Sequence, residues 1–146
     1  MADNNIVLIT NDSSVADILK PRLVLLREVD FVLPIPYNIA IKKLEMLCPE
    51  TILLYCGVTE EQECLALIKE IKNNPKTKYI SILLVVEYLN QDFILSAYDN
   101  GITDYMQIKS DDIEVLIRAI WSFQKNSVSK RLHEKISLLK KLGIII

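Results

Sequence analysis

The chain has 146 residues, enough for one domain with a core on both sides of a sheet and too few for two of ordinary size. Half of the residues are hydrophobic (51%) and a quarter are charged (25%), which excludes a disordered chain. No apolar run reaches the roughly 18 residues that cross a bilayer, and the polar start Met1-Ala2-Asp3-Asn4-Asn5 has no signal-peptide pattern, so a cytoplasmic location is expected.

Strand and helix signals alternate from the first residues on. Ile6-Val7-Leu8-Ile9 is a continuous apolar run of the kind a parallel strand covered on both faces requires. Asp12-Ser13-Ser14 offers N-cap chemistry for a helix using Val15, Ile18, Leu19, Leu23 and Leu26, with Pro21 kinking it or ending its first part. Phe31-Val32-Leu33 reads as a short second strand, placed at a sheet edge by Pro34 and Pro36, which have no ladder donor. Asn38 is the expected cap of a helix running to Leu47, with Ile41, Leu44 and either Leu47 or Cys48 on its apolar face.

Pro49 stops that helix, and Thr51-Ile52-Leu53-Leu54-Tyr55-Cys56 is a third, buried strand ending before Gly57. Thr59-Glu60-Glu61-Gln62 has the spacing of a capping box and opens a helix carrying Cys64, Leu67, Ile68 and Ile71, which Asn73-Asn74-Pro75 breaks. Ile80 to Val86 is the fourth and most apolar strand. Asn90 starts a helix through Ile94, Leu95 and Tyr98, closed by Asn100-Gly101. Ile102 to Ile108 is the fifth strand, and Ser110-Asp111-Asp112 caps a helix using Val115, Leu116, Ala119 and Ile120.

Five strands alternating with five helices imply an α/β fold with a doubly wound, five-stranded parallel sheet, flavodoxin-like in order 2-1-3-4-5. Ligands of such sheets sit beyond the carboxyl ends of the strands, so function is to be read there. The three cysteines, Cys48, Cys56 and Cys64, match no zinc spacing, and the one histidine, His133, is far from them; reduced, mostly buried thiols are expected.

Two phrases carry a family resemblance. Asn74-Pro75-Lys76-Thr77-Lys78-Tyr79-Ile80-Ser81-Ile82-Leu83-Leu84-Val85 is similar to the "P-x-T-x-x-I-P-I-x-x-L" lead into the fourth strand of bacterial response-regulator receiver domains. Gly101-Ile102-Thr103-Asp104-Tyr105-Met106 is similar to that family's "G-A-x-D-Y-L". Residues 5–124 resemble a CheY-like receiver throughout, and Pro49 to Tyr55 stands where the family has "PDLILLD".

The last residue of that phrase is the family's phosphoacceptor aspartate, and here it is Tyr55. A phenol with a reference pKa of about 10 is a neutral, weak nucleophile at pH 7 and cannot form an acyl phosphate. The acidic pair that holds Mg²⁺ falls on Thr10 and Asn11, with Asp12 adjacent; the switch hydroxyl falls on Val86 and the conserved lysine on Ile108, with Lys109 in the place of the following proline. The resemblance therefore implies a degenerate receiver with neither metal nor cofactor. A one-residue slip would make Asn11 and Asp12 the acid pair and Lys109 the lysine, but leaves no carboxylate at the end of the third strand. Tyr105 occupies the family's aromatic switch position and, with Tyr98 and Gln107, marks an expected partner surface.

Beyond the receiver-like part, residues 125–146 carry Lys125, Lys130, Arg131, Lys135, Lys140 and Lys141 against one acid, Glu134; this tail is +5 and the remainder of the −2 chain is −7. Val128, Leu132, Ile136, Leu139 and Leu142 follow helical spacing. The segment is expected to be an added helix that folds back, pairs with a copy of itself or leads to an output domain of a longer chain. Membrane and nucleic-acid contacts are not expected, since the tail lacks an Arg cluster and aromatic interleaving. The functional expectation is a receiver-like module of a two-component phosphorelay, without catalysis, acting as a homodimer on a kinase, phosphodonor protein or output domain. Two alternatives stay open: a regulator that still binds Mg²⁺ and phosphate through the shifted acid set, and a flavin or nucleotide carrier on the same topology, although no Gly-rich phosphate loop is present.

Overall fold

Alternation of side chains on five short strands organises the molecule. The computed structural model describes residues 5–12, 14, 15, 17, 30–107 and 140–143. The strands are β1 (Asn5–Ile9), β2 (Asp30–Ile35), β3 (Thr51–Cys56), β4 (Ser81–Val86) and β5 (Asp104–Gln107). All pair in parallel, in the order β2-β1-β3-β4-β5. The expected doubly wound sheet is the observed one.

On one face Val7, Ile9, Ile52, Leu54, Ile82 and Leu84 join a single apolar cluster. Ile6, Leu8, Leu53, Leu83 and Val85 alternate with them, point to the other face and are equally buried. Burial on both faces explains why these strands are continuous apolar runs. β2 lies at the edge. Its register against β1 advances by two residues on β1 and three on β2 between Val7↔Val32 and Ile9↔Ile35. Pro34 falls in that interval, and a residue without an N–H cannot hold its rung of the ladder.

Three helices are described: α1 (Ala40–Leu47), α2 (Glu61–Asn73) and α3 (Gln91–Asp99). Helix α2 buries Cys64, Leu67, Ile68 and Ile71, the stripe its periodicity predicts. Helix α3 is capped by the Asn90 side chain, which accepts from Phe93 N. It buries Phe93, Ile94 and Ala97, while Leu95 and Tyr98 are exposed. Its end is closed at Asn100, and Gly101, at φ 112, donates to the carbonyls of Ala97 and Tyr98.

Two expected caps are not used. A 3-10 turn, Tyr37–Ile39, precedes α1, so Asn38 lies inside that turn and α1 begins after Ile39 with no side-chain cap. The Thr59 capping box is also absent: α2 is preceded by Glu60, which caps nothing through its side chain because Asn11 and Gly57 take it. Cys48 is exposed, not buried, because it closes α1 in the left-handed conformation with φ 46; Cys56 and Cys64 are buried.

The α2–β4 connection is held from within. Lys72 Nζ donates to the carbonyls of Lys78 (3.1 Å) and Ile80 (2.6 Å), and Thr77 Oγ1 donates to Ile71 O (2.7 Å). The Lys72 stem lies against Gly101, where a Cβ would come within 2.9 Å of Lys72 Cγ. Of the first expected helix, Ser14, Val15 and Asp17 are described and helical; the rest of that helix, the last helices apart from residues 140–143, and Ile108 and Lys109 lie outside the described residues. Among the described residues no helix is long and apolar enough to cross a membrane.

Candidate functional site

The carboxyl ends of β1, β3 and β4 bring together the residues singled out in the sequence. Tyr55 is the fifth residue of β3 and pairs with Val85 on β4. It therefore shares a face with Leu53 and is buried. Its hydroxyl donates to Glu87 Oε1, two residues beyond Val85 on the same side of the sheet. Burial first, and then the bond to the Glu87 carboxylate, raise the Tyr55 phenol above its ordinary value, with Asp12 and Glu60 adding to the effect. The hydroxyl is therefore neutral and committed as a donor. Its oxygen is a poor nucleophile in this state.

The β1 end is also committed. Thr10 N donates to Ile35 O (3.0 Å), and Thr10 Oγ1 accepts from Asp12 N (3.0 Å). Asn11 spans the gap between two loops: its Oδ1 accepts from Tyr37 N (2.9 Å) and its Nδ2 donates to Glu60 Oε2 (2.7 Å). Asp12 Oδ1 accepts from Ser14 N (2.9 Å) and Ser14 Oγ (2.6 Å), an N-cap arrangement. The Ser14 side-chain and backbone bonds hold the Asp12 carboxyl below its ordinary value.

Glu60 folds back over the β3 loop. Its Oε1 accepts from Gly57 N at 3.1 Å, and a Cβ on residue 57 would fall 2.7 Å from that oxygen, so a side chain there would push the Glu60 carboxylate aside. Tyr37 completes the frame by donating from Oη to the Tyr55 carbonyl at 2.5 Å. Its phenol is raised above the ordinary value, by burial first and then by the neighbouring thiols of Cys64 and Cys56 and the Glu60 carboxylate. The Cys56 thiol is likewise raised, by its bond to Cys64 and by burial.

A divalent cation at this place wants converging carboxylates. Thr10 and Asn11 are neutral and spent on neighbours, and the Asp12 carboxylate is turned to Ser14. Among the described residues no group of three or more His, Cys, Asp or Glu could hold a metal ion. The residues present do not fit the ion.

No protein-family model matches the chain, and no curated protein matches it. Solved structures do. A CheY-like response-regulator receiver domain protein from Methanospirillum hungatei JF-1 superposes with a TM-score of 0.69 at 15% identity, over 87% of this chain and 98% of that one. The phosphorylated cyanobacterial phytochrome response regulator RcpA gives 0.66 at 19% identity, over 88% and 96%. The Mn²⁺-bound response regulator Rcp1 gives 0.63 at 21% identity, over 81% and 92%. The fold is that of a receiver domain.

Within that fold, Tyr55 lies near the carboxyl end of β3, and Thr10, Asn11 and Asp12 follow the carboxyl end of β1. Val86 is buried and pairs with Cys56, so its side chain faces away from Tyr55. Tyr98 and Tyr105 meet edge to face with ring centres 6.0 Å apart, and Tyr98 Oη donates to Asp104 Oδ1 (3.1 Å). Both rings remain exposed. Gln107 lies two residues along β5 on the Tyr105 side, with Nε2 donating to Glu87 O (3.4 Å). Sequence reasoning missed Glu87, Glu60 and Tyr37. The signal for Glu87 was its place immediately after the fourth strand, next to a tyrosine that needed a buried acceptor.

Proposed function

We propose that this chain is a receiver-like signalling module of a two-component phosphorelay that takes no phosphoryl group and works through protein–protein contacts. The observation that carries the reading is Tyr55: the residue at the strand end that should attack phosphorus is a buried phenol whose hydroxyl is donated to Glu87. Phosphoryl transfer needs a carboxylate nucleophile on this fold and a cation to neutralise the developing charge. Val86 supplies no hydroxyl to answer a phosphoryl oxygen. The module works without catalysis, in the cytoplasm, as a homodimer. It offers Tyr98, Tyr105 and Gln107 to a kinase, a phosphodonor protein or an output domain, and residues 125–146 form the added helix or link to that output domain.

The test is incubation of the full chain with Mg²⁺ and acetyl phosphate, and separately with beryllofluoride, followed by intact mass and amide NMR. Unchanged mass and unmoved Tyr55, Glu87 and Tyr105 signals are expected. A hydroxylamine-sensitive gain of one phosphoryl group would overturn the reading in favour of the Asn11, Asp12 and Lys109 set. A yellow preparation, or one releasing nucleotide on denaturation, would overturn it in favour of a cofactor carrier.

A further inference from the structure

On the face of the sheet opposite Tyr55, the loops after β3 and β4 enclose a cavity of about 180 Å³ lined by Cys56, Val58, Val86, Tyr88 and Phe93. Its walls are apolar. At its mouth Asn90 Nδ2 donates to Glu61 Oε2 at 3.1 Å, so these two polar side chains satisfy each other. A cavity of roughly 150 Å³ accepts a benzene ring, so this one has room for one branched or aromatic side chain. Around it three large apolar residues are open to solvent: Val58 at 55%, Tyr88 at 70% and Leu89 at 47% exposure. Val58 and Tyr88 share the cavity lining and Leu89 follows Tyr88 in the chain, so these side chains gather at one place, which marks a contact site in a way that scattered single residues do not.

The surroundings are acidic. Glu60, Glu61 and Asp92 lie on the loop after β3 and on the first helical turns beside the cavity, Glu60 and Glu61 close enough to act on the Cys56 thiol in its wall, and among the described residues the segments that follow β3 and β4 up to those turns hold no Lys or Arg. Such a rim repels nucleic acid and anionic lipid. It suits an apolar stripe flanked by cations. This chain contains one: Val128, Leu132, Ile136, Leu139 and Leu142 among six Lys or Arg, +5 against the −7 of the remainder. The described end of that segment is uncovered, with Lys140 and Lys141 exposed and Leu142 63% exposed.

We propose that the Val58–Tyr88–Leu89 patch receives the basic, apolar-striped C-terminal segment of a second copy of this chain, one of whose apolar side chains enters the cavity. The exchange is reciprocal: each copy offers one patch and one segment, so two equal contacts close a two-fold dimer. The inference rests on the reading of this chain as a dimeric interaction module, and not on whether it takes a phosphoryl group.

The experiment uses the full chain with Tyr88→p-benzoylphenylalanine, mixed in equal amounts with isotopically heavy parent protein, irradiated and mapped by mass spectrometry. Light-to-heavy cross-links ending within residues 128–142 are expected. In parallel, light scattering on the parent is expected to show a dimer, which weakens about tenfold in Tyr88→Ser and weakens again in about 0.5 M salt as the rim charges are screened. Tyr88 is exposed, so the serine variant should fold; Lys140→Glu with Lys141→Glu gives an independent loss from the other side. A monomer at high concentration, cross-links within one copy, or cross-links ending elsewhere would each overturn the proposal. A protein that is phosphorylated yet cross-links this way would lose the silent-receiver reading and keep this one. A silent monomer would overturn this proposal and the dimeric part of that reading, and keep the silent-receiver part.

Discussion

Replacing Tyr55 with Phe isolates the bond on which the site turns. The ring is kept, so no cavity opens and the cost of several kcal/mol attached to Tyr55→Ala is avoided. What is removed is one hydroxyl donating to a carboxylate. Bonds of that kind contribute about 1.5–3 kcal/mol to stability. Glu87 is only partly buried and regains water when the donor is lost, which places the expected loss at the lower end, about 1.5 kcal/mol. The assay is a double-mutant cycle with Glu87→Gln, followed by urea unfolding and circular dichroism. Tyr55→Phe should lower the midpoint without changing the slope, and the cycle should return a coupling of about 1 kcal/mol or more. A Tyr55→Phe protein within about 0.3 kcal/mol of the parent, with no coupling to Glu87, would refute the argument that this bond holds the strand ends together.

Alkali should act on the same bond. The Tyr55 and Tyr37 phenols are raised in the folded protein, so above a pH of about 10 the unfolded chain releases protons that the folded one retains. Their stabilising contribution is complete below that pH and is lost as pH rises toward the folded values; urea midpoints from pH 9 to 11 should fall more steeply for the parent than for Tyr55→Phe. Asp12 behaves oppositely: its carboxyl is lowered by Ser14, so its contribution is complete above the ordinary carboxylate pKa of about 3.9 and disappears as pH falls through the lower folded value. Asp12→Ala should cost about 1 kcal/mol at pH 7 and nothing at the acid end, read by the same unfolding curves. Gly101→Ala should cost about 1–3 kcal/mol, because it forces a side chain onto a positive φ and against Lys72 Cγ; a thermal midpoint equal to that of the parent would remove that account.

The sheet was readable because its three central strands, β1, β3 and β4, are buried on two faces, which leaves runs such as Ile6–Ile9 and Ile82–Val86 with no competing helical period. Helix α2 was readable from Cys64, Leu67, Ile68 and Ile71 for the complementary reason, a 3.6-residue stripe with polar intervals. The caps failed where a side chain had two possible employments. Thr59 and Gln62 have the capping-box spacing, yet the helix starts one residue later, after Glu60, whose carboxylate is claimed by Asn11, 49 residues away in sequence, and by Gly57, and no local pattern reports that competition. Asn38 failed because the backbone leaving Pro36 first makes a 3-10 turn. The site was half legible. Tyr55 stood out by its place at the strand end, whereas its partner is fixed by the β3–β4 register, Tyr55 against Val85, which sequence spacing alone does not give.

The unequal placement of the three thiols has a kinetic consequence. Cys48 stands in water at the end of α1, while Cys56 and Cys64 are buried and the Cys56 thiol is raised by its contact with Cys64 and by burial. An alkylating reagent should therefore modify the native protein at one sulfur quickly and at the other two only as fast as the strand ends part. The slow phase is a built-in clock for the breathing of this end of the molecule, readable without introducing a single foreign label.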